Sequence, residues 1–435
     1  MVELTTIPKY EAYKDSGEGW ISEVPEHWDV KKLKHIFFEK KHTQNMSLNC
    51  GSISVGKVVT KDDDKIPHST KASYQEVLNG EFLINPLNLN YDLISLRIGL
   101  SEIDVVVSAG YIVLKNKVDM SKEYFKYLLH RYDVAYMKLL GSGVRQTINF
   151  NHIANSLLLQ PPKAEQTAIA NFLDKKTAQI NEAIAIKEKQ IELLKERKQI
   201  IIQQAVTQGI SYEGQPDAPM KDSGVDWIGK IPEHWQVKRL KYVLDERNER
   251  SKTGEEPLFM MSQIHGLVVR ADYHAKAEVA ASNVDNKIVY KNDLVFNKLK
   301  AHLGVFFKSN IDFKGLVSPD YAVYKPKAYI TDMRYLEVLF RHPRYIEQFI
   351  IRATGIVEGL IRLYTDDLFD IAVPIAPKDE QIEILKHIDS ESEKFDIAIK
   401  LQIQQIEKLK EYKTTLINSV VTGKIKVPEL DSEIN

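Results

Sequence analysis

The sequence has little or nothing of the features that mark secreted, membrane or fibrous proteins. Its 435 residues contain one cysteine, Cys50, so no disulfide can form within the chain. The longest uncharged apolar run, residues 105–114, is far shorter than the roughly 18 residues that a membrane-spanning helix requires. The first 17 residues lack the basic-then-apolar order of a signal peptide. These absences predict a cytoplasmic chain without membrane association, long enough for about three domains.

Catalytic and metal-binding signatures are also missing from the sequence. Residues 51–57, GSISVGK, match the start of a phosphate-binding loop, but Val58 stands where Ser or Thr is needed for Mg²⁺. Neither a Cys-x-x-Cys nor a His-Glu-x-x-His pattern occurs. His27 and His234 each precede a tryptophan, which favours a structural cap over metal or acid–base chemistry. We therefore expect no catalytic residue, no metal site and no cofactor bound by this chain.

What the sequence does contain is an internal duplication of its entry segment. Residues 13–40 and 220–247 are identical at 15 of 28 positions, and both include the motifs KDSG and PEHW. All four tryptophans of the chain lie in these two segments: Trp20, Trp28, Trp227 and Trp235. Their recurrence in otherwise repeated segments predicts that the tryptophans are structural.

A second pair of segments is repeated at a different offset. Residues 161–210 contain PPKAEQ and IELLKERK, and residues 376–425 contain APKDEQ and IEKLKEYK. Between each entry segment and each later segment lies a variable block: the first block is residues 41–160 and the second block is residues 248–375. The blocks share little in sequence beyond SAGYIVL, which recurs as SPDYAVY.

The later segments follow a heptad pattern, with apolar residues spaced alternately by four and three and polar residues at Lys187, Lys198, Gln402 and Lys413. The predicted seam consists of Ile180, Ile184, Ile191, Leu194, Ile201, Phe395, Ile399, Ile406, Leu409 and Leu416. Residues 165–206 would form a helix of about 63 Å at ~1.5 Å per residue. The pattern predicts that the two helices pair as a coiled coil, although long helices in a bundle would share it.

The blocks alternate short strand-like runs with helical patterns, which predicts α/β (α+β) domains. Residues 105–114 are predicted as one strand and residues 332–351 as one helix. A domain of about 140 residues has a radius of gyration near 14 Å, too small to join the far ends of two parallel helices. The helices must therefore run antiparallel, and VTGKI at 421–425 should meet the first entry segment. This predicts a pseudo-two-fold ring with a globular domain at each end of a helical rod.

The predicted domains are a first globular domain at 1–160, a central helical spacer at 161–210, a second globular domain at 211–375 and a C-terminal helical spacer at 376–435. The net charge of the chain is −1, but residues 29–160 carry +4 and residues 236–376 carry +3. Mildly basic domains suit nucleic acid, although imbalances this small also occur in proteins that never bind DNA.

The KDSG–W–PEHW entry, the GSGVRQ loop at 141–146 that leads into INFNHI, the PPKAEQ helix start and the KERK helix resemble the specificity subunit of type I restriction-modification systems. The resemblance covers essentially the whole chain. It implies two target recognition domains that each read one half of a split site in double-stranded DNA. It also implies that the helices space these domains and dock two methyltransferase subunits. In the second block TGIVEGLIRLYTDDL lacks the Arg-Gln of GSGVRQ, so the role of that loop does not transfer directly.

The same resemblance implies a non-catalytic subunit of a type I restriction endonuclease and adenine-specific DNA methyltransferase. Restriction/translocase subunits would join through the complex, and S-adenosylmethionine, ATP and Mg²⁺ would be used on the other subunits. Two other interpretations stay open. One is a DNA-free coiled-coil adaptor whose end domains bind proteins, and the other is a specificity module of another methyl-directed phage-defence enzyme.

Base reading requires Arg, Lys, Asn, Gln or similar side chains on elements that face a DNA groove. A pseudo-dimer with two diverged ends suits a bipartite, asymmetric site, as a true dimer suits a palindrome. The candidates for DNA contact are Arg97, Arg145, Gln146, Asn149, Gln263, Lys298, Lys300, His302 and Arg362. Taken one at a time, each of these residues is more often a solvated surface residue than a base contact.

Overall fold

A computed structural model describes residues 8–87, 96–137, 140, 148–211, 218–273, 283–355 and 361–428, with the backbone alone at 301 and 302. The chain forms two compact units. The first unit is Met1–Lys187 with Gln404–Asn435, and the second unit is Glu188–Ile403. The boundary between the units lies inside both long helices.

In the first unit the strands are β1 (Tyr13–Asp15), β2 (Glu23–Pro25), β3 (Asp29–Lys32), β4 (Phe37–Glu39), β5 (Gly51–Ser54), β6 (Lys57–Thr60), β7 (Gln75–Val77), β8 (Phe82–Ile84), β9 (Ile98–Leu100), β10 (Val105–Val107), β11 (Ile112–Asn116) and β12 (Leu157–Gln160). Its shorter helices are α1 (Leu33–Ile36), α2 (His68–Lys71), α3 (Lys122–Ala135) and α4 (Phe150–Ile153).

The central sheet of the first unit has the strand order β4-β11-β8-β9-β6-β5 and is antiparallel except between β6 and β9. Both of its faces are buried. On β8, Phe82 and Ile84 point into the main core with α3, whereas Leu83 points to the other face and packs among Val77 and Val105. This alternation is the two-residue period of a β-strand.

The long helices are α5 (Lys163–Gln208), which runs through both units, and α9 (Lys378–Val421), which does the same in return. In the second unit the strands are β13 (Met220–Asp222), β14 (Lys230–Pro232), β15 (Gln236–Arg239), β16 (Leu244–Glu246), β17 (Phe259–Ser262), β18 (Gly266–Val269), β19 (Lys287–Val289), β20 (Leu294–Asn297), β21 (Phe306–Lys308), β22 (Gly315–Val317), β23 (Tyr321–Pro326) and β24 (Ala372–Ile375). Its shorter helices are α6 (Arg334–Leu339), α7 (Pro343–Arg352) and α8 (Thr365–Phe369).

The two blocks share one strand topology despite their different sequences. The central sheet of the second unit has the order β16-β23-β20-β21, which corresponds strand for strand to β4-β11-β8-β9. The flanking pairs correspond as well: β19–β22 to β7–β10, and β17–β18 to β5–β6. On β20, Leu294 and Phe296 point into the main core and Val295 to the opposite face. The duplication therefore includes the blocks.

Helices α5 and α9 are antiparallel within each unit, as the sequence predicted. In the first unit Lys413 Nζ donates to Asn181 Oδ1 at 2.8 Å, and Lys187 further along α5 donates to Gln405, earlier along α9. In the second unit Lys198 Nζ bonds Asp396 Oδ1 at 2.7 Å. Ten seam positions are buried or half-buried on helices whose other faces are mostly exposed: Ile180, Ile184, Ile191, Leu194, Ile201, Phe395, Ile399, Ile406, Leu409 and Leu416.

Two predicted elements are wrong in their continuity. Residues 105–114 form two strands, β10 and β11, because Tyr111 N–H bonds the carbonyl of Ser108 in a turn between them. Residues 332–351 form two helices, α6 and α7, because Pro343 has no N–H and cannot continue a helix. Pro343 instead occupies the first turn of α7, where His342 caps the amide of Arg344.

Within the described ranges no helix is long and apolar enough to cross a membrane. Among the same residues, no group of three or more His, Cys, Asp or Glu side chains is placed to hold a metal ion.

Candidate nucleic-acid interface

Each long helix starts beneath the second tryptophan of an entry segment. In the first unit the carboxylate of Glu165, in the first turn of α5, accepts from Trp28 Nε1 at 2.9 Å and pairs with His27 Nε2 at 2.6 Å. A carboxylate near a helix N-terminus is favoured by the helix dipole. Trp28 is fully buried, so its indole N–H depends on this partner. We call residues 13–40 with 161–166 the first joint.

The second joint, residues 220–247 with 376–381, repeats this geometry. Glu380 in the first turn of α9 accepts from the buried Trp235 Nε1 at 3.0 Å and pairs with His234 Nε2 at 2.7 Å. The predicted structural role of the PEHW histidines and tryptophans is therefore confirmed. Sequence analysis had quoted PPKAEQ and APKDEQ only as helix starts and missed that their glutamates hold the joints.

The glutamine that follows each of these glutamates fastens the block to the helix. Gln166 is buried; its Nε2 donates to the Pro161 carbonyl at 2.8 Å and its Oε1 accepts from Ser121 N at 2.9 Å, next to α3. Gln381 is equally buried, and its Nε2 donates to the carbonyls of Ala376 and Tyr329. Each Glu-Gln pair therefore fixes an entry segment and a block to the same turn of helix.

Each long helix starts at one joint, and its C-terminal end packs on the other joint. Gly209, which follows α5, adopts a left-handed φ of 82° against Trp235 in the second unit. Gly423, which follows α9, adopts a φ of 73° against Pro25 and Trp28 in the first unit. Lys426 N–H also bonds the Pro8 carbonyl at 2.8 Å. The prediction that VTGKI meets the first entry segment is confirmed.

A further repeated contact escaped the sequence analysis. Arg131 Nη2 donates to the Trp20 carbonyl at 3.0 Å, and the Trp20 ring meets the Tyr132 ring at 5.7 Å between centroids. In the second unit Arg344 Nη1 donates to the Trp227 carbonyl at 3.0 Å, and that indole meets Tyr345 at 4.9 Å. The shared Arg-Tyr dipeptide was the available signal, but two residues in a diverged block are a weak one.

Equivalent ion pairs also join each entry segment to the start of an equivalent strand of its block. In NGEFLIN, at 79–85, Glu81 bonds Lys40 at 2.9 Å; in KNDLVFN, at 291–297, Asp293 bonds Arg247 at 2.8 Å. Burial raises the pKa of Asp293, while the Arg247 guanidinium acts in the opposite direction. Because both pairs are buried, we assign them to block structure and not to ligand binding.

The two first-block candidates that the structure describes, Arg97 and Asn149, both have structural partners. Arg97 is a correction: its side chain is 7% exposed and its Nε bonds Asp133 Oδ1 at 3.1 Å, so it is part of the core and not a base contact. Asn149 caps α4, where its side chain and that of His152 bond each other's backbone amides in a capping box. Arg145 and Gln146 lie outside the described residues.

The candidates of the second block gather at one edge of the central sheet. Lys298 and Lys300 lie on a kinked 3₁₀ segment, Lys298–Leu303, that follows β20. The Lys298 carbonyl accepts from Leu363 N, which brings Arg362 beside this segment. Of these side chains Lys300 is exposed, whereas Lys298 lies 3.8 Å from Glu246 and Arg362 lies 3.3 Å from Asp320.

The remaining two candidates of the second block are Gln263 and His302. Gln263 is exposed in the turn between β17 and β18, a hairpin whose second strand passes Phe307 of β21. Because β21 begins beside the end of β20, this hairpin flanks the sheet edge that carries Lys300. The side chain of His302 lies outside the described residues. The edge therefore presents Gln263, Lys300 and a partly neutralised Arg362, a set able to contact phosphates and base edges.

The fold of this chain is similar to those of solved subunits from type I restriction-modification systems. The structure of the HsdS subunit from Thermoanaerobacter tengcongensis matches with a TM-score of 0.53 over 92% of this chain and 98% of that chain, at 14% identity. A chain from a study of complex assembly and conformational transition of the type I R-M system matches with a TM-score of 0.59, the same coverages and 14% identity. These likenesses confirm the predicted fold class of two globular regions and two long coiled-coil helices.

A sequence comparison makes the relation more particular. The chain is 24% identical over 456 aligned residues to a protein assigned as the MjaX specificity subunit of a type I restriction enzyme, from Methanocaldococcus jannaschii. The alignment covers 98% of this chain and all of that protein. The resemblance predicted from the repeats is thereby confirmed: this chain is similar to a type I specificity subunit from end to end. No family model matches the chain.

Proposed function

We propose that this chain is the DNA sequence-recognition subunit of a cytoplasmic type I restriction-modification complex. In this proposal each block reads one half of a bipartite, asymmetric site in double-stranded DNA. The long helices space the blocks and dock two methyltransferase subunits. The observation that carries the proposal is a contrast between the joints and the blocks. The joints repeat their tryptophan–glutamate–histidine contacts, whereas the blocks repeat their strand order and a few buried contacts on different sequences.

The contrast has a functional reason under this proposal. A repeated joint suits a partner that is the same at both ends, such as two copies of one methyltransferase subunit. Diverged blocks suit two different half-sites, since base reading depends on the few side chains that reach a groove. The second block offers Gln263 and Lys300 at its sheet edge.

Under the proposal this chain performs no chemistry. Methyl transfer, ATP hydrolysis and cleavage belong to the methyltransferase and restriction/translocase subunits, which would use S-adenosylmethionine, ATP and Mg²⁺. The role of this chain is to bind and orient DNA, so its variants should change where the complex acts before they change how fast it acts.

Salt dependence separates this proposal from a DNA-free adaptor. If phosphates are contacted, the logarithm of the binding constant should fall with the logarithm of salt concentration, by about 0.9 per contact. Lys300→Gln should lower that slope by about 1 if Lys300 contacts a phosphate. Lys230→Gln, an exposed lysine in β14 of the second joint, is the matched control and should leave the slope unchanged.

The deciding experiment is to map methylated adenines in DNA from cells that express this chain with its methyltransferase subunit. A single bipartite motif, absent without this chain, is the expected result. Unmethylated DNA together with salt-independent protein binding would support the adaptor instead. Methylation that serves a different effector enzyme would favour the module of another phage-defence system.

A further inference from the structure

Each unit contains the same β-hairpin beside its central sheet. In the first unit it is β5–β6, and in the second unit it is β17–β18. The residue before each hairpin makes the same parallel bridge: Cys50 to Val106 in the first unit, and Leu258 to Leu316 in the second. The hairpins are therefore equivalent, although GSISVGKVVT and FMMSQIHGLVV share almost no sequence.

Both hairpins end in an exposed β-branched apolar residue. Val55 at the tip of β5–β6 is 77% exposed, and Ile264 at the tip of β17–β18 is 87% exposed. Among the large apolar side chains that the structure describes, these two are the most exposed. One exposed apolar residue is ordinary. Its occurrence at the same point of two diverged blocks calls for a shared cause.

The backbone at the first tip shows that folding does not favour the valine. Val55 has a φ of 46° and Gly56 a φ of 73°, the left-handed pair that a two-residue hairpin turn requires. Asn-Gly is the favoured sequence for such a turn, whereas a β-branched residue is strained at positive φ. With most of its surface in solvent, Val55 gains little from packing that could offset this strain.

The surroundings of the tips suit a polyanion. Lys57 is exposed two residues after Val55. Burial, together with the charge of Lys57, lowers the pKa of Lys413. The hydrogen-bond acceptor of Lys413 is the neutral amide of Asn181. Lys57 is therefore an exposed cation close to the first tip along the chain.

The second tip lies among polar and aromatic groups. Gln263 and His265 flank Ile264, and the His265 ring lies 4.9 Å from the ring of Tyr273. The turn beyond Gly56 touches Leu96 just before β9, so the first hairpin also flanks the edge of its sheet where β8 ends. Each tip therefore flanks its own central sheet at the equivalent edge. In the second block this is the edge that carries the candidates for DNA contact.

We propose that the two hairpin tips enter the major groove of the DNA target, and that Val55 and Ile264 contact thymine methyl groups, one residue in each half-site. This proposal rests on the proposed function. A major groove about 12 Å wide admits a two-stranded β-ribbon, and the thymine methyl is the apolar feature that it displays. An exposed aliphatic tip flanked by cations or amides combines methyl recognition with contacts to phosphates and base edges.

The test uses the complex of this chain with its methyltransferase subunits and DNA that contains the mapped site. Replacing thymine by deoxyuridine, which lacks the methyl group, in one half-site at a time should weaken wild-type binding about tenfold, the scale of one lost base contact. Ile264→Ser, which leaves no methyl group at the tip, should weaken binding about tenfold and remove the uracil effect in one half-site only. Val55→Ser should do the same in the other half-site, so each variant is the control for the other.

A second variant separates groove contact from folding. Val55→Asn relieves the strained turn, so the melting temperature should stay the same or rise, while DNA binding should still weaken about tenfold. If the wild type reads a bipartite site but uracil has no effect and both serine variants bind normally, the tip proposal is wrong and the proposed function stands. If the wild type reads no site at all, the proposed function fails first.

Discussion

The two joints and the two blocks of this chain have diverged to different depths. Trp28 and Trp235 have equivalent surroundings. Each indole donates to a glutamate at a helix start, follows a histidine and packs against a glycine from the end of a long helix. The blocks keep the order of their strands and replace nearly every exposed side chain. Buried, geometrically demanding contacts have been retained, whereas the surface that would meet two different half-sites has changed. The chain therefore separates a constant framework from two variable blocks.

The framework itself differs in one electrostatic detail. Lys198 pairs with Asp396 in the second unit, whereas Lys413, its counterpart in the repeat, pairs with Asn181 in the first. Burial and Lys57 lower the pKa of Lys413. At this position of the helix pair the first unit therefore has a lysine–amide hydrogen bond, where the second unit has an ion pair.

The largest expected effect is loss of a joint tryptophan. Trp28→Ala and Trp235→Ala should each lower the free energy of unfolding by about 3–5 kcal/mol, because a large buried side chain leaves a cavity. Denaturant unfolding monitored by circular dichroism measures it, and similar losses would sharpen the equivalence of the joints. A variant that folds stably but loses DNA binding would contradict a structural role.

The exit glycines should differ, because their surroundings differ. A Cβ at Gly423 would overlap the Pro25 ring, whereas at Gly209 it would lie 3.3 Å from Glu380 Oε1. Both φ angles are left-handed, so Gly209→Ala should cost about 1–2 kcal/mol. Gly423→Ala should cost a further ~1–3 kcal/mol from overpacking. Thermal unfolding of both variants checks the order, with Gly110→Ala, which has space for a Cβ, as control.

The helix-start glutamates should also be unequal. Glu165 accepts a third hydrogen bond, from the Tyr10 hydroxyl at 3.1 Å, and this carboxylate together with burial raises the pKa of Tyr10. Glu165→Gln and Glu380→Gln should each cost about 1–3 kcal/mol, since hydrogen bonds to a charged acceptor are lost. The Glu165 variant should lose more, and Tyr10→Phe should remove most of that difference. Equal losses in the wild-type background would show that Tyr10 contributes nothing.

The smallest effect concerns the lysines of the helix pair. Asp396→Asn makes the second unit resemble the first and should cost only about 0.2–1 kcal/mol, because the carboxylate is largely exposed. Asn181→Asp makes the reverse change and should stabilise the first unit by a similar amount. Both effects should shrink in high salt. Unfolding at low and high ionic strength measures them, and effects that do not change with salt would rule out an electrostatic origin.

The framework could be predicted from sequence because it is repeated. The heptad spacing, the flanking prolines and the exit glycines predicted both long helices. The predicted range of the first, residues 165–206, ends within two residues of the observed bounds at Lys163 and Gln208. Chain length and domain size gave their antiparallel direction. The glutamates of the joints stood inside a quoted motif, but hydrogen bonds across more than 130 residues of sequence have no local signature.

The blocks were harder to predict because their repetition lies in strand order and not in letters. NGEFLIN and KNDLVFN share a turn, a buried acid and an apolar strand, yet align only after the structure pairs them. Arg97 was chosen as a surface cation, but its partner Asp133 is 36 residues away and invisible to local pattern. GSISVGK, where Val58 already argued against a phosphate-binding loop, forms the β5–β6 hairpin.

The central claim, that one framework carries two independent readers, is tested most directly by exchanging a block. Residues 42–155 would be replaced by the equivalent block of a relative, so that the capping box at Asn149 moves with its block while both joints remain. Methylated adenines are then mapped in cells that express the exchanged chain with the methyltransferase subunit. The account predicts that one half of the methylated motif changes and that the other half stays the same. A change in both halves, from a chain that folds and supports methylation, would contradict it.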